Sequence, residues 1–220
     1  MQIAIIGAGN VGKALGIGWS RAGHTIHFGV PDPTDPKHHT TARAAGDAIV
    51  ATLENATAAA NVVVLAVPWD AVPSALTACG NLTAKILLDA TNPLKSDEDG
   101  LTLAIGFSTS GGEQVARLAP GAAVFKTMNQ VGFAVMSDTR GYAAAPAMFV
   151  AGDNAEHKPM VMALVSDLGF GAIDAGPLRM ARLLEPYAML WIDQAINHGA
   201  ATDNAFAMLH RSEMTKGAEK

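Results

Sequence analysis

The stretch Gly7-Ala8-Gly9-Asn10-Val11-Gly12 fits G-x-G-x-x-G and stands between an apolar run and a helical pattern. Few short motifs constrain a fold as tightly. Three glycines at this spacing after a strand predict a tight turn, a close backbone approach to a pyrophosphate, and a helix packed hard against its strand. The pyrophosphate then lies at the helix N-terminus, where free N–H groups and the helix dipole favour negative charge. Gly7, Gly9, Asn10, Val11 and Gly12 are therefore candidates for dinucleotide binding.

The rest of the chain alternates between strand and helix patterns. "QIAIIGA" reads as a first strand, and "NVGKALGIGWSRAG" as a helix ended by Gly23. "NVVVLAVP" is a continuous apolar run, as expected of a strand covered on both faces. "KILLDATNP", "AAVFKTMN", "AMFVAG" and "GAIDAG" read as further strands. This alternation predicts an α/β fold: a Rossmann-type, doubly wound, mostly parallel sheet with right-handed crossovers. The dinucleotide-binding domain is expected over 1–178, with a C-terminal helical extension over 179–220 packed on it. That extension holds a long amphipathic helix, "RMARLLEPYAMLWIDQAINHG", and a shorter one, "DNAFAMLHR". Trp191 joins an apolar stripe with Leu184, Ala188 and Ala195, the mark of a helix core. "PDPTDPKHHT" reads as a loop, and Lys95 to Gly112 is the least regular stretch.

Composition narrows the partners. Half of the 220 residues are hydrophobic, 16% are charged and the net charge is -5. An acidic chain is a poor match for nucleic acid, whose phosphates want a basic face. The longest apolar runs are too short to cross a bilayer, and no basic leader precedes the first strand. The single Cys79 forms no internal disulfide and reads as a buried small hydrophobe. A cytoplasmic protein working on a small molecule, without membrane or nucleic acid, is expected. Met180, Leu183, Leu184, Tyr187, Met189, Leu190 and Ile192 give the tail helix more apolar surface than one face needs, which predicts a homodimer.

Ligands in an open α/β sheet lie beyond the carboxyl ends of the strands. Three such ends carry polar or rigid residues: Val67, Pro68 and Trp69; Thr91, Asn92 and Pro93; Thr127, Asn129 and Gln130. At the adenosine ribose two readings stay open. Asp32 lies 20 residues after Gly12, which favours the free 2′-hydroxyl of NAD. Lys37, His38 and His39 follow closely and could meet the 2′-phosphate of NADP. The sequence shows no Ser/His/Asp ordering, no metal-ligand cluster and no Tyr-x-x-x-Lys pair. Lys126 is the one candidate proton donor, with a structural lysine as the alternative; Glu185 and Asp193 read as structural or interfacial. No residue is assigned a catalytic role. A dinucleotide site without an acid or base suits hydride transfer to a second redox ring, which needs positioning rather than proton chemistry. A reductase of a small carbonyl or imine, and a non-catalytic redox-sensing module, are the competing readings.

"IGAGNVG", "VVLAVPW", "LDATNPL", the K-x-x-N of "FKTMNQVG" and the tail "ARLLEPYAMLWI" together resemble the F420-dependent NADP oxidoreductase family. The resemblance runs from Met1 to about Arg211. The family includes archaeal enzymes, bacterial relatives and the N-terminal domain of STEAP metalloreductases. The resemblance implies hydride transfer between NADP(H) and the deazaflavin coenzyme F420 or a flavin. It implies that Gly7 to Gly12 hold the pyrophosphate, that Val67, Pro68, Asn92 and Pro93 frame the nicotinamide, and that Asn129 lines the acceptor pocket. It implies that the tail helix closes this pocket and forms dimer contacts. One departure stands out: Gly29-Val30-Pro31 replaces the Gly-Ser-Arg with which the family often binds the 2′-phosphate.

Overall fold

The first strand, β1 (Gln2–Ile6), is fully buried from Ile3 to Ile6, because it runs through the middle of a sheet covered on both faces. The computed structural model describes residues 1–98, 100–209 and 211. After β1 come α1 (Asn10–Arg21), β2 (Thr25–Gly29), α2 (Pro36–Ala44), β3 (Ile49–Ala51), α3 (Leu53–Ala59) and β4 (Val62–Leu65). Then follow α4 (Val72–Ala78), β5 (Ile86–Asp89), and a hairpin of β6 (Leu94–Asp97) and β7 (Gly100–Leu103). The remaining elements are α5 (Gly111–Leu118), β8 (Ala123–Lys126), α6 (Phe133–Ser137), β9 (Ala147–Gly152), α7 (Lys158–Asp167), β10 (Gly171–Gly176) and α8 (Ala181–Asn197).

Eight strands form one sheet in the order β10-β9-β8-β5-β4-β1-β2-β3. From β3 to β8 all pairs are parallel. β9 runs antiparallel to β8, and β10 is parallel to β9. The chain leaves β1 toward β2 and β3, then returns to place β4 on the other side of β1. That reversal is a topological switch point, and the crevice above it is where such sheets bind ligands.

Alternation along the strands splits the core into two faces. Ile3, Ile5, Val62 and Val64 pack with Leu15, Trp19 and Phe28 on one side. Ala4, Ile6, Val63 and Leu65 pack with Leu76 and Leu87 on the other. Trp19 Nε1 donates to the Leu164 carbonyl at 2.8 Å, tying α1 to α7. Among the described residues, no helix is long and apolar enough to cross a membrane.

Three sequence expectations need correction. The Pro- and Asp-rich loop is shorter than expected: α2 begins at Pro36, with Asp35 as its N-cap, so Lys37, His38 and His39 are helical. Asp35 and a proline at the first helical position are a regular helix start, hidden in the sequence by two further prolines. The stretch from Lys95 contains the β6–β7 hairpin. The short helix expected at "DNAFAMLHR" is absent over 203–209, where the chain is irregular; its His210 lies outside the described residues. There Asn204 and Phe206 offer carbonyls to Trp191 and Ala147. Those tertiary bonds replace helical ones.

Candidate dinucleotide and acceptor site

β1 delivers the chain into the turn at Gly7, whose N–H donates to the Gly29 carbonyl at 3.0 Å. Gly7 has φ +103, and a Cβ there would lie 2.5 Å from the Ala66 carbonyl oxygen. A Cβ on Gly12 would collide with the Gly7 carbonyl oxygen. Both glycines therefore serve the close packing of the turn itself. Gly9 differs: a Cβ there would meet nothing within 4 Å. Gly9 is the N-cap of α1 and makes no side-chain cap hydrogen bond, so it leaves the first-turn N–H groups without a side-chain cap. Such a cradle fits a pyrophosphate.

Two clefts flank this turn and meet at Val67. One, of about 490 Å³, is lined by Gly9, Asn10, Val11, Pro68, Trp69 and Asn92 among others. The other, of about 540 Å³, lies between the end of β2 and the starts of α3 and α4, with Val30, Pro31, Glu54 and Ser74 in its wall. Two halves joined beside a phosphate cradle have the layout of a dinucleotide site.

Most candidate residues converge here and some do not. Pro93 is buried behind Asn92 and is not in the cleft wall. Asn129 is also buried; its amide donates to Asn92 Oδ1 at 3.1 Å, and Asn92 donates back to the Asn129 carbonyl at 2.9 Å. Asn129 thus holds Asn92 rather than lining the cleft. Gln130 extends the network to β9, with bonds to the Phe149 carbonyl and N–H. Trp69 packs its ring against Gly111 at the start of α5. Asp32 and Lys37 stand outside both cleft walls. Asp32 Oδ1 takes the Thr34 N–H at 2.9 Å and its hydroxyl at 2.6 Å, and Lys37 Nζ lies 2.6 Å from Asp35 Oδ2. Among the described residues, no three His, Cys, Asp or Glu gather as a metal site.

Lys126 is fully buried and structural in its contacts. Its ammonium lies 2.9 Å from Asp89 Oδ2 and 3.2 Å from Glu185 Oε1, and donates to the Thr91 carbonyl at 2.6 Å. Glu185 accepts the Gly111 and Gly112 N–H groups at 2.9 and 3.0 Å. Asp89 accepts the Thr91 N–H and hydroxyl at 3.0 and 2.7 Å. Two carboxylates face one ammonium, and the positive end of α5 meets the excess negative charge. This network joins β5, β8, α5 and α8 just behind Asn92. The sequence reading left Glu185 unconnected; the only trace of its partner was the glycine pair after Ser110, where side chains would crowd Trp69 and Ala181.

A second contact ties α8 to α5. Arg182 grips both oxygens of Glu113 at 2.7 and 2.8 Å, and the Ser110 hydroxyl bonds the same carboxylate. The Arg182 guanidinium, with Ser110 beside it, holds the Glu113 carboxyl below the usual carboxylate range. A lowered native value means that this contact stabilises the fold above the unfolded pKa of about 4.3 and is lost as pH falls through the native one. Glu113→Gln is therefore expected to lower Tm at pH 7 and to flatten its decline on acidification below pH 4.5. Equal acid limbs for the two proteins would discard the contact as a source of stability.

Residues 2–93 match the family described as NADP oxidoreductase, coenzyme F420-dependent. A crystal structure of a provisionally named F420-dependent NADP reductase from Arthrobacter sp. FB24 is 32% identical, with a TM-score of 0.84 over 92% of this chain and 96% of that one. The chain belongs to this family. As a member of the F420-dependent NADP oxidoreductase family it is an oxidoreductase built on a dinucleotide-binding domain. The hypothetical protein SMa0349 from Sinorhizobium meliloti is 27% identical, with a TM-score of 0.73 over 84% of this chain and 90% of that one. A reductive aminase from Aspergillus terreus in complex with NADPH shares the fold at 22% identity and a TM-score of 0.63, over 90% of this chain and 63% of that one.

Proposed function

We propose that the protein passes a hydride between NADP(H) and a flavin-like coenzyme, with the deazaflavin F420 as the first acceptor to test. The observation that carries this reading is the locked state of Lys126. Among the described residues, Lys126 is the buried lysine, and it spends its ammonium on Asp89, Glu185 and the Thr91 carbonyl, so it is not free to protonate a carbonyl or imine. Bound NADP(H) would supply the hydride, a proton with two electrons, which the acceptor ring would take up, with water supplying the remaining proton. The chain's own part is positioning. The first turn of α1 holds the pyrophosphate, Val67 and Pro68 back the nicotinamide, and Asn92, fixed by Asn129, orients the ring edge. Family membership and the two clefts beside the glycine turn support this assignment. The same reading takes α8 as the face that joins two copies, where Leu183 and Leu190 stand exposed.

The test is anaerobic mixing of the protein with NADPH and oxidised F420, following loss of the deazaflavin absorbance. Bleaching is expected, with FMN and FAD as comparison acceptors. Asp70, exposed in the wall of the β4–β5 cleft, is the nearest alternative proton source. Asp70→Asn is expected to keep the rate within about threefold. No reduction of any of the three rings, or a 100-fold loss in Asp70→Asn with a carbonyl or imine substrate, would overturn the assignment in favour of proton-coupled reduction.

A further inference from the structure

The cleft at the end of β2 differs in charge from what the family's coenzyme requires. Its wall contains a single charged side chain, Glu54, and no cation. NADP differs from NAD by a 2′-phosphate on the adenosine ribose. Proteins that select it place an arginine there, or a free helix N-terminus, since both give strong charge-assisted bonds.

Neither device is available here. After β2 the chain runs through Val30, which is buried, and Pro31, which lines the cleft and has no N–H. Of the helix N-termini in the cleft wall, that of α3 is capped by Thr52, whose hydroxyl takes the Asn55 N–H, and that of α4 has Pro73 in its first turn. Outside the wall, the next in the chain after β2 is that of α2. Its first turn is already occupied by Asp35, whose carboxylate accepts the Lys37 N–H, and Pro36 removes another donor. The Lys37 ammonium lies 2.6 Å from the same carboxylate. Asp32 and Asp35 against Lys37 leave a formal charge of -1 on this segment, and Glu54 adds another negative group across the cleft. The two Thr34 hydrogen bonds hold the Asp32 carboxyl below the usual range, so it stays ionised at neutral pH. A phosphate brought to this rim meets like charge.

We propose that the adenosine cleft of this protein does not select the 2′-phosphate, so that NADH binds and serves as hydride donor at least as well as NADPH. A carboxylate beside a ribose accepts a bond from the 2′-hydroxyl, and Asp32, which follows Pro31 of the cleft wall without lining it, is the carboxylate next in sequence to that wall. This inference deepens the hydride-transfer reading above and rests on it for the donor role.

Isothermal titration of the whole chain with NADH and NADPH at pH 8 tests it without any acceptor. The expected result is a Kd for NADH equal to or lower than that for NADPH. Pro31→Arg is expected to shift the ratio toward NADPH by about tenfold or more, equivalent to about 1.4 kcal/mol. Asp32→Ala should shift it in the same direction by weakening NADH binding. NADPH binding tenfold or more tighter than NADH in the parent chain overturns the inference and leaves the hydride-transfer reading standing. Binding of neither coenzyme overturns both.

Discussion

Gly9→Ala is expected to weaken dinucleotide binding by roughly 10- to 100-fold while leaving the fold intact. The two parts of this result have separate causes. The added methyl enters space that no protein atom occupies within 4 Å, so it meets only what binds there. The backbone of Gly9 already has φ -73, which alanine adopts without strain. The loss of a tolerated cap residue and the gain from a less flexible unfolded chain nearly cancel, leaving a change within about 1 kcal/mol. For a chain of this size that is about 2–4 °C in Tm. Gly12→Ala supplies the contrast. Its methyl strikes the Gly7 carbonyl oxygen, so folding and binding should fail together. Titration with the coenzyme and a thermal melt of each variant decide the matter. An unchanged affinity in Gly9→Ala would falsify the close approach of a pyrophosphate to this turn.

The second large effect is expected at Lys126. Lys126→Met removes the one positive charge between Asp89 and Glu185, both of them buried. Breaking a buried ion pair from one side costs about 3–5 kcal/mol, because the remaining charge is neither solvated nor matched. Methionine fills nearly the same volume, so little of this cost comes from a cavity. Urea unfolding followed by tryptophan fluorescence should show a lowered midpoint. Adding Asp89→Asn and Glu185→Gln to the same chain should recover part of the loss by removing the unmatched charges. A single variant as stable as the parent would show that the ammonium contributes nothing to the network.

The strands and the glycine turn could be read in advance because their signals are local. "NVVVLAVP" is a buried strand by run length alone, and β4 is buried at every residue. The clefts were legible as far as they follow from topology, since Val67, Pro68 and Asn92 sit at strand ends. What escaped depends on contacts between distant segments. Lys126 and Glu185 are 59 positions apart, and nothing in either neighbourhood announces the other. Met128 is a second case. It takes φ +61 while buried, a left-handed conformation that costs a non-glycine residue about 1–3 kcal/mol. That turn follows β8 directly and brings Asn129 to Asn92; only the surrounding packing enforces it. Spacing suggested Asp32 and Lys37 for the ribose end, but both stand outside the cleft walls, and spacing carries no information about their partners, Thr34 and Asp35.

The hairpin of β6 and β7 follows Pro93 and pairs only with itself, outside the main sheet. Its first strand is exposed along most of its length. Two strands alone are marginal in water, and the cover of this pair comes from α8, which packs on the half-buried β7. The hairpin can therefore open as a small cooperative unit, at far less free energy than the sheet, while β5 stays folded beside it. Leu94 begins this hairpin and also forms part of the wall of the β4–β5 cleft. The cleft thus has one wall built from central strands and one that depends on a two-stranded segment and on the helix packed against it.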